Sequence, residues 1–71
     1  MPEGLANVLR EIRAERDLTQ AALAELVGVS RKTINTVENG IFVPSTLVAL
    51  RIARALGRPV EEIFRLDDPA G

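Results

Sequence analysis

The sequence predicts an all-α domain of five short helices. Three observations support this prediction. Apolar residues recur at helical spacing, residues that cap helices separate the apolar segments, and apolar/polar alternation never persists beyond a few residues. The chain has 71 residues, of which 46 % are hydrophobic, so it is long enough for one small domain with its own core. We expect this domain to span residues 1–66 and a flexible C-terminal tail to occupy residues 67–71.

The first three helices are expected over residues 4–16, 20–27 and 31–38. Leu5, Leu9 and Ile12 place an apolar stripe on the first helix. Thr19 and Ser30 can accept hydrogen bonds as N-caps of the second and third helices. Gly28 ends the second helix, where a positive φ is often required.

The last two helices are expected over residues 46–56 and 60–64. Ser45 is the N-cap of the fourth helix and Gly57 ends it, while Pro59 separates it from the fifth. The expected inward stripe of the fourth helix is Ala49, Leu50, Ala53 and Leu56.

Composition argues against several classes of protein. The chain has no His and no Cys, so the commonest general base and the best nucleophile are missing, and we expect no enzyme. The acidic pairs 61–62 and 67–68 are each too close in sequence to bind a metal unaided. No apolar run approaches the ~20 residues that span a bilayer, and the N-terminus lacks the apolar segment of a signal peptide. We therefore expect a cytoplasmic protein with no metal, no cofactor, no small-molecule ligand and no membrane partner.

Charge is distributed unevenly along the chain. The net charge is −1 and the sequence pI is about 5.3, which argues weakly against a nucleic-acid partner. Residues 30–37, however, include two cations and no acid, whereas residues 61–71 include four acids and one Arg. Steering of a charged partner depends on the local field, so the third helix can still attract an anion.

The second and third helices form one unit with a sharp joint. Only Gly28, Val29 and Ser30 connect them, and Ala24 is small enough for the helices to cross closely. On a helical wheel of ~100° per residue, Ile34 and Val37 face inward. The outward and flanking residues are polar and include no carboxylate: Arg31, Lys32, Thr33, Asn35, Thr36 and Asn39. Such a face suits the major groove of DNA, where Arg and Lys can bind guanine and Asn can bind adenine.

The segment TQAALAELVGVSRKTINTVENG resembles the helix-turn-helix of the phage repressor and Cro class, and more closely the bacterial XRE-type transcriptional regulators. The resemblance covers roughly residues 5–64, because PST, IARALG and EEIF follow in the expected order. It implies a five-helix repressor-like DNA-binding domain. The implied function is sequence-specific regulation of transcription by a repressor that binds double-stranded DNA as a homodimer, with its third helix in the major groove.

The resemblance also implies roles for individual residues. It implies that Gln20 contacts a phosphate and that Arg31, Lys32 and Thr36 contact bases. Thr33 and Asn35 are expected at the margins of that surface, and Asn39 near the DNA backbone. Ser30 is also an expected DNA-binding residue. Arg13 and Glu38 match an ion pair that ties the first helix to the third. The wheel supports this pair independently, since Glu38 lies beside Ile34 on the inward side, where an unpaired carboxylate is costly.

The loop after the third helix departs from the family pattern, because IFVPS offers no Lys or Arg to a phosphate. Leu47 and Val48 are not needed for the core and are close in sequence to Phe42 and Val43 of the preceding loop. We therefore expect these four residues to form an exposed apolar patch, with Val43, Leu47 and Val48 as a dimer interface. The alternative is that Val43 and the preceding Phe42 fold back onto the fourth helix of one monomer.

Two other functions remain open at this stage. The chain could be the antitoxin of a toxin–antitoxin pair, which binds DNA through the same helix and also binds a toxin. It could also be a protein-interaction adaptor that uses the same fold without DNA, since fold does not fix function. A neighbouring toxin gene would favour the antitoxin, and failure to bind DNA at low salt would favour the adaptor.

Overall fold

The computed structural model describes residues 4–67 as five helices and two short strands. In chain order these are β1 (Gly4–Asn7), α1 (Leu9–Glu15), α2 (Gln20–Val27), α3 (Arg31–Glu38), α4 (Thr46–Leu56), α5 (Val60–Ile63) and β2 (Phe64–Asp67). The bounds predicted for the second, third and fourth helices are confirmed. Across residues 4–67, none of the helices is long and apolar enough to cross a membrane.

Side-chain caps begin the three central helices. The hydroxyl of Thr19 accepts from Ala22 N at the start of α2. The hydroxyl of Ser30 likewise accepts from Thr33 N at the start of α3, and that of Ser45 accepts from Val48 N at the start of α4. A side chain that satisfies an otherwise unpaired N–H stabilises a helix by ~1 kcal/mol, which explains why each helix begins where its cap predicts.

The two ends of the described chain pair as a small antiparallel sheet. The register aligns Leu5 of β1 with Leu66 of β2, and Asn7 with Phe64. The all-α prediction is therefore wrong in this detail, although the domain is mostly helical. Each strand has only four residues, which are too few for an alternating pattern to stand out in the sequence.

The sheet changes the predicted helix bounds at both ends. α1 begins at Leu9 rather than at residue 4, and Phe64 begins β2 rather than ending the fifth helix. Leu5 accordingly packs against the core from a strand. Asp67, which we expected in the tail, pairs with Gly4 at the end of β2. Residues 68–71 of the predicted tail, like residues 1–3 of the predicted domain, lie outside the described residues.

Asn7 explains why the first helix does not begin earlier. Its Oδ1 accepts a hydrogen bond from Leu9 N (3.1 Å), and its Nδ2 donates to the carbonyl oxygen of Val37 (2.9 Å). Val8 N donates to the carbonyl oxygen of Ile63 (2.9 Å). Asn side chains that bond nearby backbone groups compete with helical hydrogen bonds, so Asn7 favours a strand that stops and a helix that starts afresh.

The core lies where all five helices meet and where β2 begins. Its buried residues are Leu9, Ile12, Leu23, Ala24, Val27, Ile34, Val37, Ile52, Ala53, Leu56, Ile63 and Phe64. On α4, however, the predicted inward stripe is wrong for Leu50, which is 55 % exposed, while Ile52 is fully buried. The two residues are ~200° apart around the helix, so burial of Ile52 directs Leu50 toward the surface.

Candidate nucleic-acid interface

The turn between α2 and α3 needs a glycine. Gly28 has φ 86° and ψ 32°, in the left-handed region, which confirms the predicted positive φ. Its N–H and that of Val29 both donate to the carbonyl oxygen of Ala24, at 2.8 and 3.0 Å. These two bonds give the carbonyl oxygen of Ala24 its hydrogen-bond partners and so close the C-terminal end of α2. The next residue, Ser30, is already the N-cap of α3.

α3 buries one side and exposes the other. Ile34 and Val37 are almost completely buried in the core. Arg31, Lys32 and Asn35 are exposed. Thr33 and Thr36, also predicted for the DNA-facing surface, are half-buried and flank the exposed residues.

Arg31 and Lys32 form a positive surface at the start of α3. Within residues 4–67, neither side chain belongs to an ion pair. The only acid of α3, Glu38, is at its last position and has a fully buried side chain. The exposed surface of α3 is therefore locally cationic in a chain of net charge −1, which favours contact with phosphate-rich DNA.

The hydroxyl groups of α3 and of its N-cap form hydrogen bonds within this segment. Ser30 Oγ accepts from Thr33 N (3.1 Å) and lies 2.9 Å from Thr33 Oγ1. Thr36 Oγ1 donates to the carbonyl oxygen of Thr33 (3.0 Å). The oxygen of Thr36 consequently offers only lone pairs to a partner, whereas Ser30 and Thr33 share one hydrogen bond whose direction can be reversed.

Glu38 joins α1, α2 and α3. Its Oε2 accepts from Arg13 Nε (2.6 Å), and its Oε1 accepts from Arg13 Nη2 (3.3 Å) and from Gln20 Nε2 (3.1 Å). Arg13 also donates through Nη1 to the carbonyl oxygen of Leu18 (2.7 Å). The side chain of Glu38 is completely buried and that of Arg13 is 16 % exposed, so the pair links helices from inside the domain.

The surroundings of Glu38 stabilise its charged form. Burial raises the pKa of Glu38, but the hydrogen bonds from Arg13 and Gln20, the charge of Arg13 and the hydrogen bond from Arg10 together lower the pKa by more. The pKa of Glu38 therefore lies below its usual value. Glu38 remains a carboxylate near neutral pH and can hold all three donors in place.

Gln20 has a partner that the sequence did not predict. One of its amide hydrogens is directed to Glu38, while the residue itself is half-buried at the start of α2. The amide group of Gln has a second hydrogen and an oxygen, so the bond to Glu38 leaves groups that can contact a phosphate.

Arg10 was not among the predicted site residues. Its Nη2 donates to Asn39 Oδ1 (3.0 Å), and its Nε lies 3.5 Å from Glu38 Oε1. The signal in the sequence is its spacing of three residues from Arg13, because residues at i and i+3 lie on one side of a helix. That spacing places both guanidinium groups near the end of α3.

An exposed apolar patch lies after α3. Val43 and Leu47 are exposed, at 67 % and 57 %, whereas Val48 is half-buried and packs against the core. Phe42, which we expected beside them, is exposed as well, and so is Leu50, which we expected in the core. Phe42 and Val43 do not become buried against α4 in this monomer.

Metal-binding side chains do not converge within residues 4–67. This range contains no group of three or more His, Cys, Asp or Glu residues that could hold a metal ion.

The chain is similar to known helix-turn-helix proteins. A model of the helix-turn-helix family matches residues 9–63. An uncharacterised HTH-type transcriptional regulator of Methanothermobacter thermautotrophicus is 52 % identical over 65 residues, which cover 90 % of this chain and 94 % of the relative. A second such regulator, from Bacillus subtilis, is 39 % identical over 64 residues, covering 90 % and 97 %. The crystal structure of the restriction-modification controller protein C.AhdI from Aeromonas hydrophila is 37 % identical with a TM-score of 0.73, covering 76 % of this chain and 82 % of that one.

Proposed function

We propose a specific role for this chain, which belongs to the XRE-type helix-turn-helix family of DNA-binding transcriptional regulators. The protein is a repressor that recognises a defined operator sequence and blocks access to a promoter. It binds as a homodimer, and each subunit inserts α3 into the major groove.

The observation that carries this proposal is the exposed surface of α3. Arg31 and Lys32 are unpaired cations among the described residues, Asn35 is exposed beside them, and the only acid of the helix is buried. Arg and Lys bind the O6 and N7 atoms of guanine, which makes them the commonest side chains in sequence-specific contacts. A surface that served only for solubility would be expected to mix both signs of charge.

Residues around α3 supply contacts to the DNA backbone. Gln20 and Asn39 lie at the start of α2 and the end of α3, and both have side-chain amides held by hydrogen bonds within the domain. Phosphate contacts position a protein on the duplex without distinguishing sequences. Ser30 and Thr33 complete the surface at the N-terminal end of α3, and Thr36 presents lone pairs near its middle.

The apolar patch after α3 is the dimer interface. Val43 and Leu47 form its centre, and Val48 supports them from a half-buried position. A two-fold dimer buries such a patch against its own copy. It also places two α3 helices ~34 Å apart, one turn of DNA, so the operator is a near-palindrome with that spacing between half-sites.

Selection of bound sequences from a random pool of duplex DNA tests the proposal. We expect a near-palindromic consensus and an affinity that falls steeply as salt concentration increases. Sedimentation should show a dimer, and a reporter gene behind the selected operator should be repressed. If no consensus sequence is selected even at low salt, the protein does not recognise DNA specifically. A monomer that binds single half-sites as well as double ones would contradict the dimer. Activation of the reporter gene would contradict repression.

A further inference from the structure

We propose that the two-stranded sheet is part of the dimer interface, and that Leu66 of β2 packs against a second copy of this chain. This inference rests on the proposed function, because it starts from the apolar patch around Val43 and Leu47. From that patch the interface extends over Leu50 to the sheet, and it does not extend along α4 to the arginines of that helix.

The residues assigned to the interface so far are too few for a stable dimer. A typical protein–protein interface buries ~800 Å² on each partner and involves roughly 20–30 residues a side. The accessible surface of this chain is 4747 Å², so such an interface covers about a sixth of it. Val43, Leu47 and Val48 do not provide that area by themselves. The interface therefore continues from them across one flank of α4.

One flank of α4 faces the sheet across a groove of about 220 Å³. α4 contributes Leu50 to this groove, and the sheet contributes Leu5 and Phe64. The other lining residues in the described chain are uncharged as well: Pro44, Thr46, Ala49 and Val60. A second groove also includes Leu5 and Phe64 and reaches Phe42 and Val43. An uncharged surface therefore connects the apolar patch to the sheet.

Leu66 extends this surface beyond the groove. It lies directly opposite Leu5 in the sheet, and the side chains of opposite residues project from the same face with Cβ atoms ~5 Å apart. Phe64, two residues earlier, lies on that face too and is buried in the core. Leu66 is nevertheless 66 % exposed. It adds a large apolar side chain to a patch that is already continuous, and such patches mark interaction surfaces.

The other flank of α4 is positively charged. A groove of about 340 Å³ on this side is lined by Leu47, Leu50, Arg51 and Arg54. Both arginines are exposed, and within residues 4–67 neither belongs to an ion pair. α4 itself contains no acid. Arg51 Nη1 lies toward α2, 3.8 Å from the position that a Cβ on Gly28 would occupy, so this flank faces away from the sheet.

Two-fold symmetry favours the flank that faces the sheet. In a two-fold dimer the same patch is used by both subunits, so residues near the axis meet their own copies. An interface on the other flank would bring Arg51 and Arg54 close to the same residues of the second copy, where like charges repel. The uncharged surface over the sheet meets its copy without repulsion. It also offers little electrostatic selection among foreign proteins, so it suits self-association.

Sedimentation equilibrium of variants tests the proposal. Leu66→Glu places a carboxylate in the interface and should raise the dimer dissociation constant roughly tenfold or more. Leu26→Glu is the matched control, because Leu26 is a leucine of similar exposure (62 %) on α2, and it should leave the dissociation constant unchanged. Arg51→Ala combined with Arg54→Ala should leave it unchanged as well. Leu66→Glu should also weaken binding to a full operator but not to an isolated half-site.

If Leu66→Glu lowers the melting temperature strongly, the wild-type protein provides a second test. In a dimer assembled from isotope-labelled and unlabelled copies, intermolecular nuclear Overhauser effects identify the side chains of one subunit that lie close to the other. We expect such effects from the methyl groups of Leu5 and Leu66 and none from those of Leu26.

Two results would overturn the inference while leaving the proposed dimer intact. In the first, Leu47→Glu with Leu50→Lys gives a monomer, whereas a folded Leu66→Glu variant dimerises as the wild type does, or the Leu66 methyl groups of a wild-type dimer show no intermolecular effects. In the second, the double arginine variant weakens dimerisation, which would mean that the interface runs along α4. A wild type that stays monomeric at high concentration would contradict the proposed homodimer and this inference together.

Discussion

Removing Arg13 tests whether Glu38 organises the helix-turn-helix. Arg13→Met keeps the length and apolar stem of the side chain and removes its charge and donors. Glu38 loses bonds at 2.6 and 3.3 Å, and it keeps the donors Gln20 at 3.1 Å and Arg10 at 3.5 Å. The carbonyl oxygen of Leu18 loses its bond from Arg13 as well.

The expected loss of stability is large for a single change. Removing one partner of a buried pair costs ~3–5 kcal/mol, because it leaves an uncompensated charge in the interior. The side chain of Glu38 is fully buried, but two of its donors remain, so we expect a loss of ~3 kcal/mol. In a domain of this size each kcal/mol corresponds to a shift in melting temperature of about 4–8 °C, so Arg13→Met should melt at least ~12 °C lower.

The effect should also depend on pH. In the folded wild type the pKa of Glu38 is lower than in the unfolded chain, so its contribution to stability is present above the unfolded pKa and is lost as pH falls through the folded pKa. In Arg13→Met, Glu38 is still buried but has lost the hydrogen bonds and the charge of Arg13, which stabilise its carboxylate. The pKa of Glu38 is therefore higher in the variant than in the wild type. Acidification should therefore narrow the difference in stability between the wild type and the variant.

Thermal and urea unfolding followed by circular dichroism at several pH values measures both effects. Arg58→Met serves as control, because its partners Glu15 and Glu62 lie at the surface, where an ion pair contributes at most ~1 kcal/mol. A melting temperature for Arg13→Met within a few degrees of the control would refute the argument. A difference between wild type and variant that widens as pH falls would refute the assigned direction of the pKa shift.

Three further predictions follow from the same structure. Gly28→Val should lose ~1–2 kcal/mol or more from the strain of a Cβ at φ 86°, and Gly28→Asn should lose less, as thermal unfolding would show; equal losses would contradict strain as the cause. Arg31→Ala should relax preference at particular base positions by ~1–3 kcal/mol, whereas Gln20→Ala should weaken binding to all sequences about equally; sequence selection distinguishes them, and a uniform loss in both variants would mean that α3 does not contact bases. Leu47→Glu combined with Leu50→Lys, both at exposed sites, should give a folded monomer by sedimentation; a dimer that persists would exclude this patch as the interface.

The sequence alone determined the central part of the domain, from the start of α2 to the end of α4. Thr19, Ser30 and Ser45 begin helices as predicted, and Gly28 adopts the left-handed conformation that its position requires. Caps and turns depend on hydrogen bonds between residues a few positions apart, so their chemistry is visible in a short segment. The polar, acid-free surface of α3 could also be predicted from a short segment, because helical periodicity assigns each residue to one face of the helix.

Only the tertiary structure decided the features that join distant segments. β1 and β2 pair across nearly the whole described chain, with Leu5 opposite Leu66, and four-residue strands carry too little pattern to reveal this pairing. Which flank of α4 is buried depended on how α4 packs, and this exposed Leu50 against expectation. The hydrogen bond from Arg10 to Asn39 joins residues that are 29 positions apart in the sequence. Periodicity predicts which face of a helix a side chain occupies, but the partner of a polar atom depends on the packing of other helices around it.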